Sequence, residues 1–337
     1  MPKHDNPHQI DLLEAAVLTV SPLVSILLPA YNVAPWISTC LDSLLAQDFI
    51  DFEIIIVDDG STDGTSGIIQ NYAAADNRIR AFSQPNEGVG VARNSAIDHA
   101  AGRYIAFVDP DDLVSPDLLS SIVSRAETVA ADIVAFPFQS FHESPSGNIM
   151  TSSTGLRVNL LPPHEPFSRR DLPEAVLLFS APHVWQHLFS RSLLDRHDLR
   201  FASYPASSDV PFTFTALALA ERITTVRRPL YLYRVREGSI QRSDDRDPLE
   251  FMEAFIALKR SLEDRGVMDD VRVSYNSQMI RRFNHEASKY PTGDFRRKTV
   301  LRHLRERGFA DTGIANLRRT DVSTHALWRK YLDLRQQ

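Results

Sequence analysis

Between Val24 and Phe138, short apolar runs alternate with stretches whose apolar residues recur every three or four positions. The runs Val24–Leu28, Phe52–Val57, Ile79–Phe82, Tyr104–Val108 and Ile133–Phe138 predict strands. Pro35–Ala46, Thr65–Ala74, Val89–Ala100 and Pro116–Ala130 predict the helices between them. Ser115 ahead of Pro116 reads as an N-cap followed by proline at the first helical position. The strand runs are apolar throughout rather than alternating, as expected where helices cover both faces of a parallel sheet.

From Gln139 to Arg170 the chain turns to Ser, Pro, Gly and His, which reads as a long loop or an irregular hairpin. Order returns with Leu172–Phe179, with Trp185–Phe189 and with a helix from Val210 to Ala220. A strand-like Leu230–Val235 follows. Beyond Asp244-Asp245-Arg246-Asp247-Pro248, three-to-four spacing returns at Phe251, Phe255 and Leu258, at Ile280 and Phe283, and at Leu301 and Leu304, predicting a helical tail. The division expected is an extension over 1–20, an α/β domain over 21–242 and a helical region over 243–337. No internal repeat and no low-complexity tract is present.

Composition narrows the class. A hydrophobic fraction of 43% with 24% charged residues is ordinary for a soluble globular protein and unlike a disordered chain. The net charge of −6 hides an asymmetry, because Arg281–Gln337 carries 14 Lys and Arg against 6 Asp and Glu. That basic tail reads either as a solvated helical face or as a surface for a polyanion or anionic membrane. The single cysteine, Cys40, excludes an internal disulfide and fits a reducing cytosol. No apolar run has the length of a membrane span, and Met1–Ile10 lacks the apolar region of a signal peptide. Leu12–Leu18 reads as a short amphipathic helix. The expectation is a cytoplasmic protein, with peripheral contact at the inner membrane face left open.

Candidate chemistry sits where strands end. Tyr104–Val108 runs into Asp109-Pro110-Asp111-Asp112, three carboxylates in four positions, which repel one another unless a cation lies among them. Hard oxygen ligands suit Mg²⁺ or Mn²⁺, bound through one or two carboxylates and substrate phosphates. Two earlier strands end at Pro29-Ala30-Tyr31-Asn32 and at Asp58-Asp59-Gly60-Ser61-Thr62-Asp63-Gly64-Thr65. Ligands of an open parallel sheet bind beyond these carboxyl ends. Asp63 as a helix cap would explain one of these acids but not Asp58 or Asp59. The glycines of Asn86-Glu87-Gly88-Val89-Gly90-Val91-Ala92-Arg93-Asn94 lack the third member of a dinucleotide fingerprint, and no Gly-Lys-Ser/Thr occurs, so nicotinamide enzymes and P-loop NTPases fit poorly.

Taken in order, P-A-Y-N, V-D-D-G-S-T-D-G-T, N-E-G-V-G-V-A-R-N and G-R-Y-I-A-F-V-D-P-D-D resemble glycosyltransferase family 2. V-W-Q-H-L-F-S-R-S-L-L and L-Y-L-Y-R-V-R-E-G-S-I resemble bacterial members that build surface polysaccharides. The resemblance runs from Ser21 to Arg242. It implies a GT-A-type α/β fold with a mainly parallel sheet, binding a nucleotide-diphospho-sugar, most simply a UDP-sugar, and transferring the sugar with inversion to a glycan or lipid-linked acceptor. By that resemblance Pro29, Tyr31, Asp59, Asn86, Arg93 and Asp109 would line the nucleotide pocket, with Asp59 facing a uracil N–H. Asp111, with Asp109, would hold Mn²⁺ or Mg²⁺. Asp112 would orient the metal-holding acids or meet the donor sugar, its alternative being a helix-cap or loop contact.

Chemistry asks for a base to take the acceptor hydroxyl's proton. The family places it in a Glu-Asp pair that opens a helix; the matching place reads Ser207-Ser208-Asp209-Val210-Pro211. Asp209 is the candidate, its alternative being an N-cap. Ser208 stands where the neighbouring glutamate would raise an aspartate's proton affinity. His183 and His187 are lesser candidates. By the resemblance Arg234, Arg236 and Ser239 lie on the strand and loop that fold back over the diphosphate, for which arginine's planar fork is suited, the alternative for either arginine being a solvent-facing strand position. Trp185 would stack on a sugar or lie in the core. The basic tail would serve oligomerisation, acceptor docking or membrane attachment; a nucleic-acid partner is not expected. Competing readings are a non-catalytic nucleotide-sugar-binding or scaffolding module and a nucleotidyltransferase, the latter lacking its Gly-rich basic loop near the first strand.

Overall fold

The computed structural model describes residues 21–142, 149–151, 155–202, 208–235, 250–291 and 293–336. The expected helix over Leu12–Leu18, the linker around Asp244–Pro248, Ser207, Arg236 and Ser239 lie outside them. The first half alternates as predicted: β1 (Val24–Ala30), α1 (Ile37–Leu45), β2 (Phe52–Asp58), α2 (Thr65–Ala75), β3 (Ile79–Ser83), α3 (Val89–His99) and β4 (Tyr104–Phe107). β1 and β2 are buried along their whole length, which is why their runs are apolar on both faces.

A short β5 (Leu113–Val114) leads to α4 (Leu118–Val129). This helix starts two residues later than the Ser115-Pro116 signal predicts. The Ser115 hydroxyl bonds the Asp117 carboxylate, and its carbonyl accepts Leu118 N at 3.0 Å. The pair therefore forms the turn before the helix, and no side chain caps it. The run Ile133–Phe138 also divides, into β6 (Ile133–Ala135) and the start of β7 (Phe138–His142). Pro137 has no N–H to continue a ladder, and the chain changes sheet there. β8 (Ile149–Met150) pairs antiparallel with β7, so the Ser/Pro-rich stretch begins as the irregular hairpin. There follow β9 (His187–Ser190), α5 (Arg191–Arg196), α6 (Asp209–Leu219), β10 (Ile223–Thr225) and β11 (Tyr231–Arg234). The tail is helical, comprising α7 (Glu250–Asp264), α8 (Met268–Ser288), α9 (Phe295–His303), α10 (Phe309–Asp311) and α11 (His325–Gln336).

Among the described residues the large sheet has seven strands in the order β10-β6-β9-β4-β1-β2-β3. All pairs are parallel except those of β9 with β4 and β6. A smaller sheet, β5-β11-β7-β8, stands at the carboxyl end of β4. Strand periodicity separates two cores. Ile26, Leu28, Ile54 and Ile56 face α1 and α4, whereas Leu27, Ile55, Val57, Ile105 and Phe107 face α3, α6 and the tail helices. Phe251, Phe255, Leu258, Ile280, Phe283, Leu301 and Leu304 are buried in this second core, so the tail is a layer of the fold and not an appendage. Within it α6 is buried on every side from Val210 to Leu219.

Candidate active site

The loops after β1 and β2 are stitched together at the sheet's carboxyl edge. Asn32 N donates to Ser61 Oγ at 3.0 Å, Val33 N to Thr65 Oγ1 at 2.9 Å, and Thr62 N to Asn32 Oδ1 at 2.8 Å. Asp63 accepts both Thr65 N and Ala34 N, so it starts α2 and ties down the first loop. Asp58 accepts Ser61 N at 3.0 Å within its own turn. Asp59 is buried and accepts Gln84 Nε2 at 2.8 Å, Glu87 N at 3.0 Å and Gly88 N at 2.9 Å. Its carboxylate thus organises the loop between β3 and α3. Gly60 has φ +75°, and a Cβ there would lie 2.9 Å from Asn86 N, so only glycine lets the two loops meet. Pro29 lies two residues beyond the last β1–β4 pair, Leu27–Phe107, where its missing N–H costs the ladder nothing. Tyr31, 47% exposed, and the exposed Asn86 stand at the open edge of this crevice.

The acidic turn after β4 is held from behind. Asp112 is fully buried; it accepts the Tyr231 hydroxyl at 2.8 Å and Arg234 N at 2.7 Å. The same Tyr231 hydroxyl accepts Asp109 N at 3.0 Å. Burial, then the charges of Asp111 and Asp109, push the Asp112 carboxyl well above the usual carboxylate range. The donor-sugar position expected for Asp112 is therefore corrected to the loop contact: its oxygens point into the protein. Arg234 is likewise buried, with Nε donating to the Asp111 carbonyl at 2.5 Å and its guanidinium 4.8 Å from the Phe141 ring centroid. It shapes the turn from the rear. Cys40 is buried beneath, its Sγ 3.7 Å from the Asp109 carbonyl, with burial foremost in raising its thiol pKa.

In front of the turn, three residues distant in sequence converge. Arg93, on α3, donates Nη2 to Asp109 Oδ1 at 3.1 Å and Nη1 to Asp209 Oδ1 at 2.5 Å. The Arg93 side chain is 5% exposed, against 29% for Asp109 and 22% for Asp209, so the guanidinium forms the floor and both carboxylates reach the surface. Burial raises the Asp109 carboxyl to about 6, with Arg93 pulling it down and Asp209 and Asp111 pushing it up. Asp209 opens α6 but does not cap it; its second oxygen accepts Val184 N at 3.3 Å. The Phe201 ring lies 5.2 Å under the Arg93 guanidinium. Asn94, the next residue of the same motif, clamps Phe201 by accepting its N and donating to its carbonyl, both at 2.8 Å. Gly90 permits this approach, since a Cβ there would be 2.7 Å from the Ala202 carbonyl.

The remaining candidates take core positions. Trp185 is 4% exposed, stacked on His183 at 4.7 Å and on Tyr231 at 4.3 Å, which selects its core alternative over sugar stacking. His187 is buried between Ser180 Oγ at 2.7 Å and the His183 carbonyl at 2.9 Å. Sequence reasoning assigned no role to Tyr231, Asn94 or Phe201. Asn94 stood within a quoted motif, whereas Tyr231 acts on Asp112 from 119 positions away.

Among the described residues no group of three or more His, Cys, Asp or Glu side chains forms a metal cage. Asp109 and Asp111 fit a cation in another way. The Asp109 carboxyl is raised first by burial, with Asp209 and Asp111 adding to the rise, and two carboxylates completed by a bound diphosphate suit Mg²⁺ or Mn²⁺. No described helix is long and apolar enough to cross a membrane.

Residues 25–196 match the family model described as Glycosyl transferase family 2. The chain is 37% identical over 225 residues to the uncharacterized glycosyltransferase EpsJ of Bacillus subtilis, covering 65% of this chain and 63% of that protein. It is 30% identical over 275 residues to the succinoglycan biosynthesis protein ExoO of Rhizobium meliloti, covering 79% of this chain and 75% of ExoO. In fold it resembles S. aureus TarS crystallised with UDP, with a TM-score of 0.65 and 21% identity over 93% of this chain and 89% of the TarS chain.

Proposed function

The chain belongs to glycosyl transferase family 2, with a GT-A-type fold, and on that premise we propose that it is an inverting, divalent-metal-dependent enzyme. It would transfer a sugar from a UDP-sugar to a glycan or lipid-linked acceptor in bacterial surface-polysaccharide synthesis. The observation that carries the reading is the junction of Asp109, Arg93 and Asp209. It unites the acids at the end of β4, where a diphosphate would lie, with an isolated carboxylate at the start of α6. A relative named for succinoglycan synthesis and a structural neighbour crystallised with UDP support the substrate class.

On this reading Pro29, Tyr31 and Asn86 border the base and ribose, and Asp59 keeps the β3–α3 loop closed around them. A carboxylate has about four acceptor positions; three protein donors leave Asp59 one for a base N–H. Asp111, with Asp109, would hold Mn²⁺ or Mg²⁺, which would neutralise charge on the departing diphosphate. Asp209 takes the proton from the acceptor hydroxyl as its oxygen bonds to the anomeric carbon and the carbon–diphosphate bond breaks on the opposite face. Arg93 and Val184 N each hold one Asp209 oxygen, fixing the carboxylate's direction. Arg234 contributes through the acidic turn. Arg236 and Ser239 keep their proposed diphosphate roles.

A second reading, a non-catalytic nucleotide-sugar-binding module, draws on the same ion pair, because Arg93 already occupies Asp209 Oδ1. A thermal-shift panel of nucleotide sugars with Mn²⁺, followed by assays of release of the nucleotide diphosphate, tests both. Ligand at a hundredfold excess over Kd stabilises by about 2.7 kcal/mol. Stabilisation by a UDP-sugar with turnover supports the enzyme, stabilisation without turnover supports the module, and no response to any UDP-sugar sinks both.

A further inference from the structure

We propose that the outward ridge of α9, led by Phe295, docks the protein reversibly on an anionic lipid bilayer surface. Asp294 starts this helix by accepting Arg296 N at 2.7 Å. Val300 and Leu301, with Leu304 in the turn beyond, bury one side of it in the core shared with α8. That burial fixes which side faces out. Phe295, Lys298 and Arg302 follow at i, i+3 and i+7 on the opposite side, all exposed. The exposed Arg305 continues the row into the π turn Leu304–Gly308.

Ordinary solvation of a helix face does not account for this ridge. Phe295 is 77% exposed; among the described large apolar side chains only Ile50, at 83%, is more so. Residues 295–306 carry five Lys and Arg against one acid, Glu306 at the far end. Lys298, Arg302 and Arg305 have no carboxylate partner among the described residues. Elsewhere such charges are matched, Lys259 by Glu263 at 2.8 Å and Arg307 by Asp311 at 3.4 Å. The arginines next to Phe295 are used within the fold. Arg297 Nη1 donates to the Ala287 carbonyl at the end of α8 at 2.7 Å, and Arg296 lies 4.7 Å from the Tyr290 ring centroid and 3.5 Å from Asp294.

An aromatic ring and unpaired cations on one helix face select the partner. A soluble polyanion would satisfy the cations and leave the ring in water. An anionic bilayer takes both, the ring at the boundary of headgroups and acyl chains and the cations against the phosphates. Ile50 lacks the second half of this pattern, because it stands between the exposed acids Asp48 and Asp51. One ring and a short basic row make a weak, reversible anchor, since lasting attachment takes more apolar surface or a covalent lipid. Its strength falls as salt screens the cations.

The test sediments the full chain with vesicles of phosphatidylcholine containing phosphatidylglycerol and, separately, with vesicles of phosphatidylcholine alone. Binding to the anionic vesicles only is expected, weakening as salt is raised. Lys298→Gln/Arg302→Gln should bind roughly tenfold or more weakly, and Phe295→Ser should also bind more weakly. Ile50→Ser, the control for general stickiness, should bind as the natural protein does. All four positions are exposed, so the variants should keep the natural Tm. Vesicle binding needs neither donor nor turnover, so its outcome is read independently of the transfer chemistry. Equal binding by the natural protein and both ridge variants, or equal binding to neutral vesicles, overturns the proposal. No binding to anionic vesicles does so too, and binding of polyphosphate in their place would assign the ridge to a soluble polyanion.

Discussion

Arg93 and Asp209, 116 residues apart, meet at 2.5 Å and join the acids at the end of β4 to the start of α6. A buried guanidinium shared by two carboxylates is costly to remove, because each acid is then left without its partner. Arg93→Ala should lower stability by about 3 kcal/mol, read by chemical denaturation. Arg93→Lys should restore part of that loss but not the two-pronged geometry, leaving transfer impaired. A fully active Arg93→Lys enzyme would show that the fork is dispensable.

Asp209→Asn keeps the shape of the site and removes the proposed base. Transfer should fall by roughly 10²- to 10⁴-fold, while UDP binding measured by calorimetry stays within experimental error. Unchanged turnover would exclude Asp209 as the base.

Removing the cation and removing its proposed ligand should look alike. EDTA should abolish transfer and weaken UDP binding; Asp111→Ala should do the same in the presence of Mn²⁺. Full activity in EDTA would delete the metal from the mechanism.

Tyr231→Phe removes one oxygen that serves both Asp112 and Asp109 N. Leaving these groups unsatisfied should cost about 1–3 kcal/mol and reduce transfer, since the acidic turn loses its rear support. The check is a paired measurement of Tm and kcat.

His187 sets a pH dependence. Burial lowers its imidazole to about 4 in the folded protein, whereas an unfolded histidine titrates near its ordinary value of about 6.5. Its contribution is therefore complete above about pH 6.5 and is lost as pH falls toward 4, a total on the order of 3 kcal/mol. The difference in stability between the natural protein and His187→Asn should shrink across that interval; a constant difference would contradict the assignment.

Local pattern carried much of this far. The strands of the first half were legible because burial on both faces demands uninterrupted apolar runs, and Leu27 and Leu28 fill opposite cores as alternation requires. Asp109, Arg93 and Asp209 could be singled out by motif, but their contact could not, because it depends on how α3 and α6 pack on one face of the sheet. Asp112 and Trp185 were the harder residues: a carboxylate in an acidic turn and an indole in an apolar segment each suit a site or a core. Only the arrival of Tyr231 on β11, which bonds Asp112 and stacks on Trp185, decides both. The delayed start of α4 shows a smaller effect of the same kind, with the Ser115 hydroxyl claimed by the neighbouring Asp117.

The complete burial of α6 has a consequence for how such enzymes can be recombined. Asp209 is the first residue of a helix pressed between the sheet and the tail, with no face left to solvent. Exchanging the tail for that of another family member would change the surface on which α6 rests, and with it the height and tilt of the carboxylate. A chimera would therefore need its breakpoint ahead of Asp209, so that the helix travels with the tail that supports it. In this fold the tail cannot be traded without trading the proposed base.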